Sequence, residues 1–263
     1  MKKLLCILLV LCTLISLCAC ANSQEETVEL QAWEKQLGQK NIISVGISPD
    51  YPPYESLDND NNVIGFDADF AVEIVKNINE ITGTNYELEF VQMSFDTIIT
   101  AIQTGQVDLG ISGFTYDEDR VGQVLFSTPY TDCGIVAVTK EGSEITTLAD
   151  LQGKVIGAQL GTTCADAAKA IEGTNVIEVQ DVQVMMQSLN ADAYDAVLLD
   201  KPVAENYCAN MDFVMIEEAI EDNATYVICA PTSDALIEVV NKAVDAFIAS
   251  SAYDELQVKW GLK

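Results

Sequence analysis

From Ile42 onward the chain alternates short apolar runs with amphipathic helical stripes, and it does so twice over. A sheet covered by helices satisfies this pattern, because each strand then buries apolar side chains on both faces while each helix hides one stripe. The first set reads strand 42–47, helix, strand 86–91, helix, strand 107–111. Asp67 stands where it can cap a helix with Phe70, Ala71, Ile74, Val75 and Ile78 on one face, and Gly83 lies just past its end. Ser94 precedes a second stripe of Phe95, Ile98, Ile99 and Ile102, with Gly105 as its stop. The second set reads strand 155–158, helix 164–171, strand 176–179, helix 182–189, strand 196–199. Two tail helices follow, over 234–247 and 253–260. The predicted fold class is therefore α/β, in two halves. No low-complexity linker separates them, so the connections must be short and extended, and the β-rich stretches 131–138 and 224–230 are the candidates.

The residue inventory narrows function further. The chain contains no histidine, which removes the serine, cysteine and zinc chemistries that rely on an imidazole. With 41 acidic against 13 basic residues its formal charge is −28, so no nucleic-acid partner is expected. No metal or cofactor motif stands out. The run from Asp58 to Asn62 imitates the start of a calcium loop, but Val63 occupies the place of the turn glycine and Asp69 that of the closing glutamate, so a hairpin turn is the expected reading. The acidic residues Glu217, Glu218, Glu221 and Asp222 read as a solvated face.

At the N-terminus two lysines precede a 14-residue apolar run from Leu4 to Leu17, too short to span a bilayer and typical of an export signal. The sequence Leu17-Cys18-Ala19-Cys20 that follows resembles the lipobox of bacterial lipoproteins. That resemblance implies cleavage after residue 19 and a lipid on the sulfur of Cys20, which would hold the protein to the extracytoplasmic face of the cell membrane. Residues 20–40 then read as a tether with one short helix carrying Leu30, Trp33 and Leu37. Four cysteines remain in the body, Cys133, Cys164, Cys208 and Cys229; their spacing leaves free thiols and disulfides both open.

Six short motifs then occur in order: Tyr51-Pro52-Pro53-Tyr54-Glu55, Gly65-Phe66-Asp67-Ala68-Asp69, Gly105 to Leu109 running into Thr115 to Arg120, Phe126 to Tyr130, Gly161-Thr162-Thr163, and Asp195 leading to Asp200. Together they resemble the amino-acid-binding proteins of ABC importers, which have the type II periplasmic binding protein fold, over essentially all of residues 41–263. The resemblance implies lobe 1 over 41–131 plus 230–263, lobe 2 over 136–225, a two-strand hinge, and a cleft that closes on a free amino acid. A monomer working with a membrane permease and its ATPase is the implied arrangement.

The chemistry of that ligand supports the same residues. A free amino acid carries a carboxylate and an ammonium on one carbon, and a water-poor cleft must supply a fixed cation, polar donors and a fixed anion. By resemblance Arg120 takes the carboxylate and Asp200 the ammonium. Ser112, Gly113 and Thr115 follow a strand and can present hydroxyl and main-chain groups, while Thr162 and Thr163 open a helix whose free amides favour an anion. Tyr51 and Phe95 match positions whose rings flank the ligand side chain, and Gln159 can face it. Ser48 stands where relatives that bind glutamine or basic amino acids often carry aspartate, which points to a neutral polar or sulfur-containing side chain. The alternative on the same fold is a cyclohexadienyl or arogenate dehydratase, whose mark would be an additional acid in the cleft, with Glu55 or Asp69 as nominees.

Overall fold

The structure, a computed structural model, describes residues 31–37 and 40–263. The predicted export signal, Cys20 and most of the predicted tether lie outside the described residues. A short helix α1 (Ala32–Gln36) leads into the body and buries Trp33. The first half then contains β1 (Ile42–Ile47), a hairpin of β2 (Ser56–Leu57) and β3 (Val63–Ile64), α2 (Phe66–Thr82), β4 (Glu87–Gln92), α3 (Phe95–Gln103) and β5 (Leu109–Gly110). A 16-residue strand β6 (Leu125–Lys140) crosses into the second half, which holds β7 (Val155–Gln159), α4 (Thr163–Ala170), β8 (Asn175–Val179), α5 (Val182–Asn190), β9 (Ala196–Asp200), α6 (Lys201–Asn210) and β10 (Phe213–Met215). Strand β11 (Glu221–Cys229) returns, and α7 (Asp234–Ile248) and α8 (Ser251–Trp260) close the chain on the first half.

The strands run in the order β4-β1-β5-β11-β6-β9-β7-β8, with β10 beside the far end of β6. In the first half β1 pairs in parallel with β4 and β5, and in the second β7 pairs in parallel with β8 and β9. Only β6 and β11 join the halves: β6 pairs with β11 from Leu125 to Ile135 and with β9 from Ile135 to Val138. The result is a type II architecture of two lobes linked by a two-stranded antiparallel connection.

Strand periodicity explains the apolar runs. Along β6, Ile135 and Ala137 belong to one core and Val136 and Val138 to another, and along β9 Ala196 and Leu198 alternate with Val197 and Leu199 in the same way. Both faces of these strands are covered by helices, so every position must be apolar. In the first half α2 and α7 pack on one face around Phe66, Phe70 and Ile74, while α3 buries Phe95, Ile98 and Ile102 on the other.

One local expectation is corrected. Asp67 does not cap α2: the capping position is Gly65, and the Asp67 carboxylate turns inward to accept from the Gly113 N–H at 2.7 Å and the Tyr130 hydroxyl at 2.9 Å. Ser94 does occupy the capping position of α3, though without a side-chain bond. Helix α6 starts directly after Asp200, where Pro202 in the first turn gives up no needed N–H and presets the backbone. The 58–62 segment is the tip of the β2–β3 hairpin, where the Asp58 carboxylate accepts from the Asp60 and Asn62 N–H groups. Glu217, Glu218, Glu221 and Asp222 are exposed, and Cys133, Cys164, Cys208 and Cys229 are all free thiols.

Candidate functional site

Parallel strands in an α/β sheet place their carboxyl ends, and the loops that follow, at one edge where ligands are commonly received. Here Ser48 and Ser112 follow the carboxyl ends of β1 and β5, Gln159 and Asp200 close β7 and β9, and all four residues line one cavity between the lobes. Tyr51, Phe95, Gly113, Thr115, Arg120, Thr162 and Thr163 line the same cavity. The ten residues singled out from sequence are thus brought together with Ser48 and the nominated acid Glu55, and the structure adds Asp50 and Cys164. Asp69, nominated as a cleft acid, is elsewhere: on the outer side of α2 its carboxylate meets Lys259 at 2.6 Å and the Trp260 indole N–H at 2.7 Å.

Arg120 is 6 % exposed, in a short 3-10 turn (Glu118–Arg120). Its Nη1 donates to the Thr115 carbonyl at 2.8 Å and its Nη2 to the Gly161 carbonyl at 2.9 Å, while the guanidinium carbon lies 5.7 Å and 5.5 Å from the Phe95 and Phe114 ring centres. Those two rings stack with centroids 4.5 Å apart, which fixes one wall of the cavity and gives Phe95 both its roles, in the core and at the site. Among the described residues no carboxylate lies within ion-pair distance of Arg120. Burial pulls its pKa down, and the negative charges of Asp117, Asp166 and Asp200 oppose that pull.

Asp200 closes β9 in a fully enclosed position. The Tyr51 hydroxyl donates to its Oδ2 at 3.1 Å and accepts from its backbone N–H at 2.9 Å, whereas Oδ1 is buried with no partner. Burial raises the Asp200 carboxyl to about 6, against the opposing influence of the Tyr51 hydroxyl and Arg120. A buried cation without a counter-carboxylate and a buried carboxylate with a free oxygen therefore face one cavity.

Several contacts cross from one lobe to the other. The Thr115 and Thr163 hydroxyls are 2.9 Å apart, and Asp50 Oδ2 accepts from Gln159 Nε2 at 3.1 Å and from the Val182 N–H at 2.9 Å, the first amide of α5. Thr162 caps α4, accepting from the Ala165 N–H, so its hydroxyl serves the helix as well as the wall. Drawn together in this way, the lobes leave about 10 Å³ for the centre of a water molecule, room for about one water. A ligand larger than a water molecule enters only if these contacts open.

Sequence reasoning passed over Asp50 and Glu55 as binding residues. Asp50 is held by the Ser48 hydroxyl at 2.8 Å, and burial raises its pKa against the Val182 N–H that lowers it. Glu55 Oε1 accepts from the Ser112 hydroxyl at 2.7 Å, and burial followed by the nearby Asp67 charge pushes its carboxyl well up. Asp67 is raised to about 7, chiefly by burial. The signal for both was their place beside Tyr51, Asp50 one residue before the ring and Glu55 four residues after it.

Residues 43–263 match the family of bacterial extracellular solute-binding proteins, family 3. The chain belongs to this family. Relatives of this family 3 protein include the arginine-binding extracellular protein ArtP of Bacillus subtilis, 31% identical over 99% of this chain and 98% of the relative. A probable histidine-binding protein of Campylobacter jejuni is 29% identical over 100% of both chains. Among solved structures, that of a mutant of ArgBP from T. maritima superposes with a TM-score of 0.79 at 31% identity, covering 89% of this chain and 100% of its own. The family is extracytoplasmic, its members bind solutes, and the relatives are named for binding, so the protein is a binding protein and not an enzyme. No helix of the described residues is long and apolar enough to cross a membrane.

Proposed function

We propose that this family 3 protein captures a free α-amino acid between its lobes and delivers it to a membrane permease driven by an ATPase. The observation that carries this reading is the pairing of Arg120, a buried guanidinium with no counter-carboxylate, with Asp200, whose Oδ1 is buried and unpartnered. A zwitterionic head group satisfies both at once: its carboxylate takes the guanidinium fork and its ammonium the free oxygen. Tyr51, Phe95, Ser112, Gly113, Thr115, Gln159, Thr162 and Thr163 complete the ligand-binding set. The relatives' printed names, for arginine and histidine, support an amino acid as cargo.

Lobe 1 is proposed to comprise residues 41–131 with 230–263, and lobe 2 residues 136–225, hinging where β6 and β11 pair between them. Ser48 and Gln159, each bonded to Asp50, support the neutral polar or sulfur-containing side chain read from sequence. The test is a thermal-shift screen of the purified protein against the twenty amino acids, cystine, ornithine and prephenate. A ligand that binds only the folded state raises the melting point, so a shift with one or a few amino acids is expected. Absence of any shift, confirmed after refolding to strip bound ligand, would remove the receptor reading. Phenylpyruvate formed from prephenate would restore the dehydratase alternative, with Glu55 as its acid.

Cys20 is proposed to carry the lipid that holds the monomer at the membrane. Mass spectrometry of the membrane fraction is expected to find an acylated N-terminal Cys20; a soluble protein with an unmodified cysteine sinks the anchor.

A further inference from the structure

The opening amides of helix α5 need partners from outside the helix, and two different lobes supply them. Asp181, the residue before the helix, accepts from the Val184 N–H at 2.8 Å, as an ordinary cap does. The Val182 N–H, at the first helical position, instead donates at 2.9 Å to Asp50 Oδ2, which arrives from lobe 1 across 132 residues of chain. The start of one lobe's helix is therefore completed by the other lobe's carboxylate.

Asp50 is engaged on all sides. It is 8 % exposed, Ser48 Oγ donates to its Oδ1 at 2.8 Å, and Gln159 Nε2 joins Val182 on its Oδ2 at 3.1 Å. The same Gln159 nitrogen donates to the Gln180 carbonyl at 3.1 Å, so both of its hydrogens hold segment 180–182 against Asp50. Gln180 reaches back in turn, its Nε2 lying 3.3 Å and 3.4 Å from the two oxygens of Asp96 at the start of α3. Gly161 fits closely on the same seam, where an added Cβ would lie 3.4 Å from the Asp96 Cα. Lobe 1 thus grips one short stretch of lobe 2 with two carboxylates.

These bonds exist only while the lobes are together. When the lobes part, Asp50 and the Val182 N–H both return to water, so the contact favours the closed form over the open one and slows opening. Because protein donors already fill both oxygens of Asp50, that effect is the same whatever side chain the cavity encloses. We propose that Asp50 is the catch of the closed cleft: it completes the N-terminus of α5, makes no contact with the bound amino acid, and sets how long that amino acid stays. The proposal rests on the amino-acid reading above and adds a positioning residue that governs residence rather than recognition.

Two variants remove the contact from opposite sides. Asp50→Ala deletes the acceptor. Val182→Pro deletes the donor and keeps the helix, because proline is favoured at the first helical position and Asp181, at φ −114° and ψ 121°, already has the backbone that a residue before proline adopts. Calorimetry with each of the twenty amino acids ranks affinities, and a chase of the tightest binder, radiolabelled, with unlabelled excess gives its dissociation rate. Each variant is expected to speed dissociation roughly tenfold, the effect of losing hydrogen bonds to one charged group. Affinity for every bound amino acid is expected to fall by a common factor, with the ranking kept. The double variant is expected to be no faster than the faster single one, since both act on one contact. Asp50→Asn keeps one acceptor oxygen for Val182, so it is expected to fall between the parent and Asp50→Ala, and it serves where another variant fails to fold. Exchange of the Val182 amide with deuterated water, followed by NMR without ligand, is expected to be slower in the parent than in Asp50→Ala. A changed ranking in Asp50→Ala, dissociation at the parent rate, additive effects in the double variant, or equal amide exchange each overturns the catch and leaves the receptor reading intact. No amino acid bound by the parent removes the receptor reading, and the claim about residence with it.

Discussion

Arg120→Ala is expected to lower amino-acid affinity by roughly two to four orders of magnitude, which corresponds to breaking a buried ion pair at about 3–5 kcal/mol. The loss is large because the ligand carboxylate enters a cavity in which, among the described residues, Arg120 is the cation at hand, held in place by the Thr115 and Gly161 carbonyls and by the Phe95 and Phe114 rings. Alanine leaves that carboxylate desolvated and unpaired, and a buried charge without a partner costs more than the pair contributed. Arg120→Lys separates charge from geometry: the ammonium restores the Coulomb attraction and not the two-pronged contact, so an intermediate loss is expected. The Gly161 bond also spans the lobes, so the alanine variant closes less readily. Calorimetry with the ligand found in the thermal-shift screen measures the loss, with circular dichroism as the check on folding. Affinity within a factor of three of the parent would remove Arg120 from the site.

The strands and most helices could be read from the chain because each obeys a single local rule. Alternation of two cores along β6 and β9 requires continuous apolar sequence, and α3 and α7 carry stripes of one period. The site was readable in part for the same reason, since Ser112, Gln159 and Asp200 sit at strand ends that a strand reading locates directly. What could not be read depends on contacts distant in sequence. Asp67 has the composition of a helix cap, yet its carboxylate serves Gly113 and Tyr130, 46 and 63 residues away. Asp50 looks like a turn residue until lobe 2 brings Gln159 and the first amide of α5 against it, 109 and 132 residues downstream. Strand β6 runs through Pro129, where register shifts on the β11 side absorb the missing donor. The tally of acids in the cavity was thus hidden in tertiary structure.

Gly65→Ala is expected to be the most destabilising single substitution near the site. Gly65 has φ 135° and ψ 178°, a region essentially reserved for glycine, and a Cβ there would lie 2.1 Å from the Tyr54 carbonyl oxygen and 2.7 Å from the Glu55 Cα. Both obstacles are backbone, so no rotamer change relieves them. The segment cannot simply move aside either, because the Phe66 N–H donates to the Pro53 carbonyl at 2.9 Å and the Asp67 N–H to the Tyr54 carbonyl at 2.8 Å. Those bonds seat the start of α2 against the strip that carries Tyr51 and Glu55, with Phe66 fully buried beneath. Prising them apart unpairs two amides, loosens an aromatic core residue and displaces the Glu55–Asp67 pair at once. The expected cost is roughly 4 kcal/mol or more, or a fall in Tm of roughly 10 °C in a domain of this size. Gly83→Ala is the control: its φ of 72° is also left-handed, but nothing lies within 4 Å of the added carbon, so only about 1 kcal/mol is expected. Thermal and urea unfolding of the two variants compare close approach with backbone conformation alone. Equal losses would mean that the start of α2 is not pressed against residues 54 and 55, and that the acids of the cavity are not held in place by this contact.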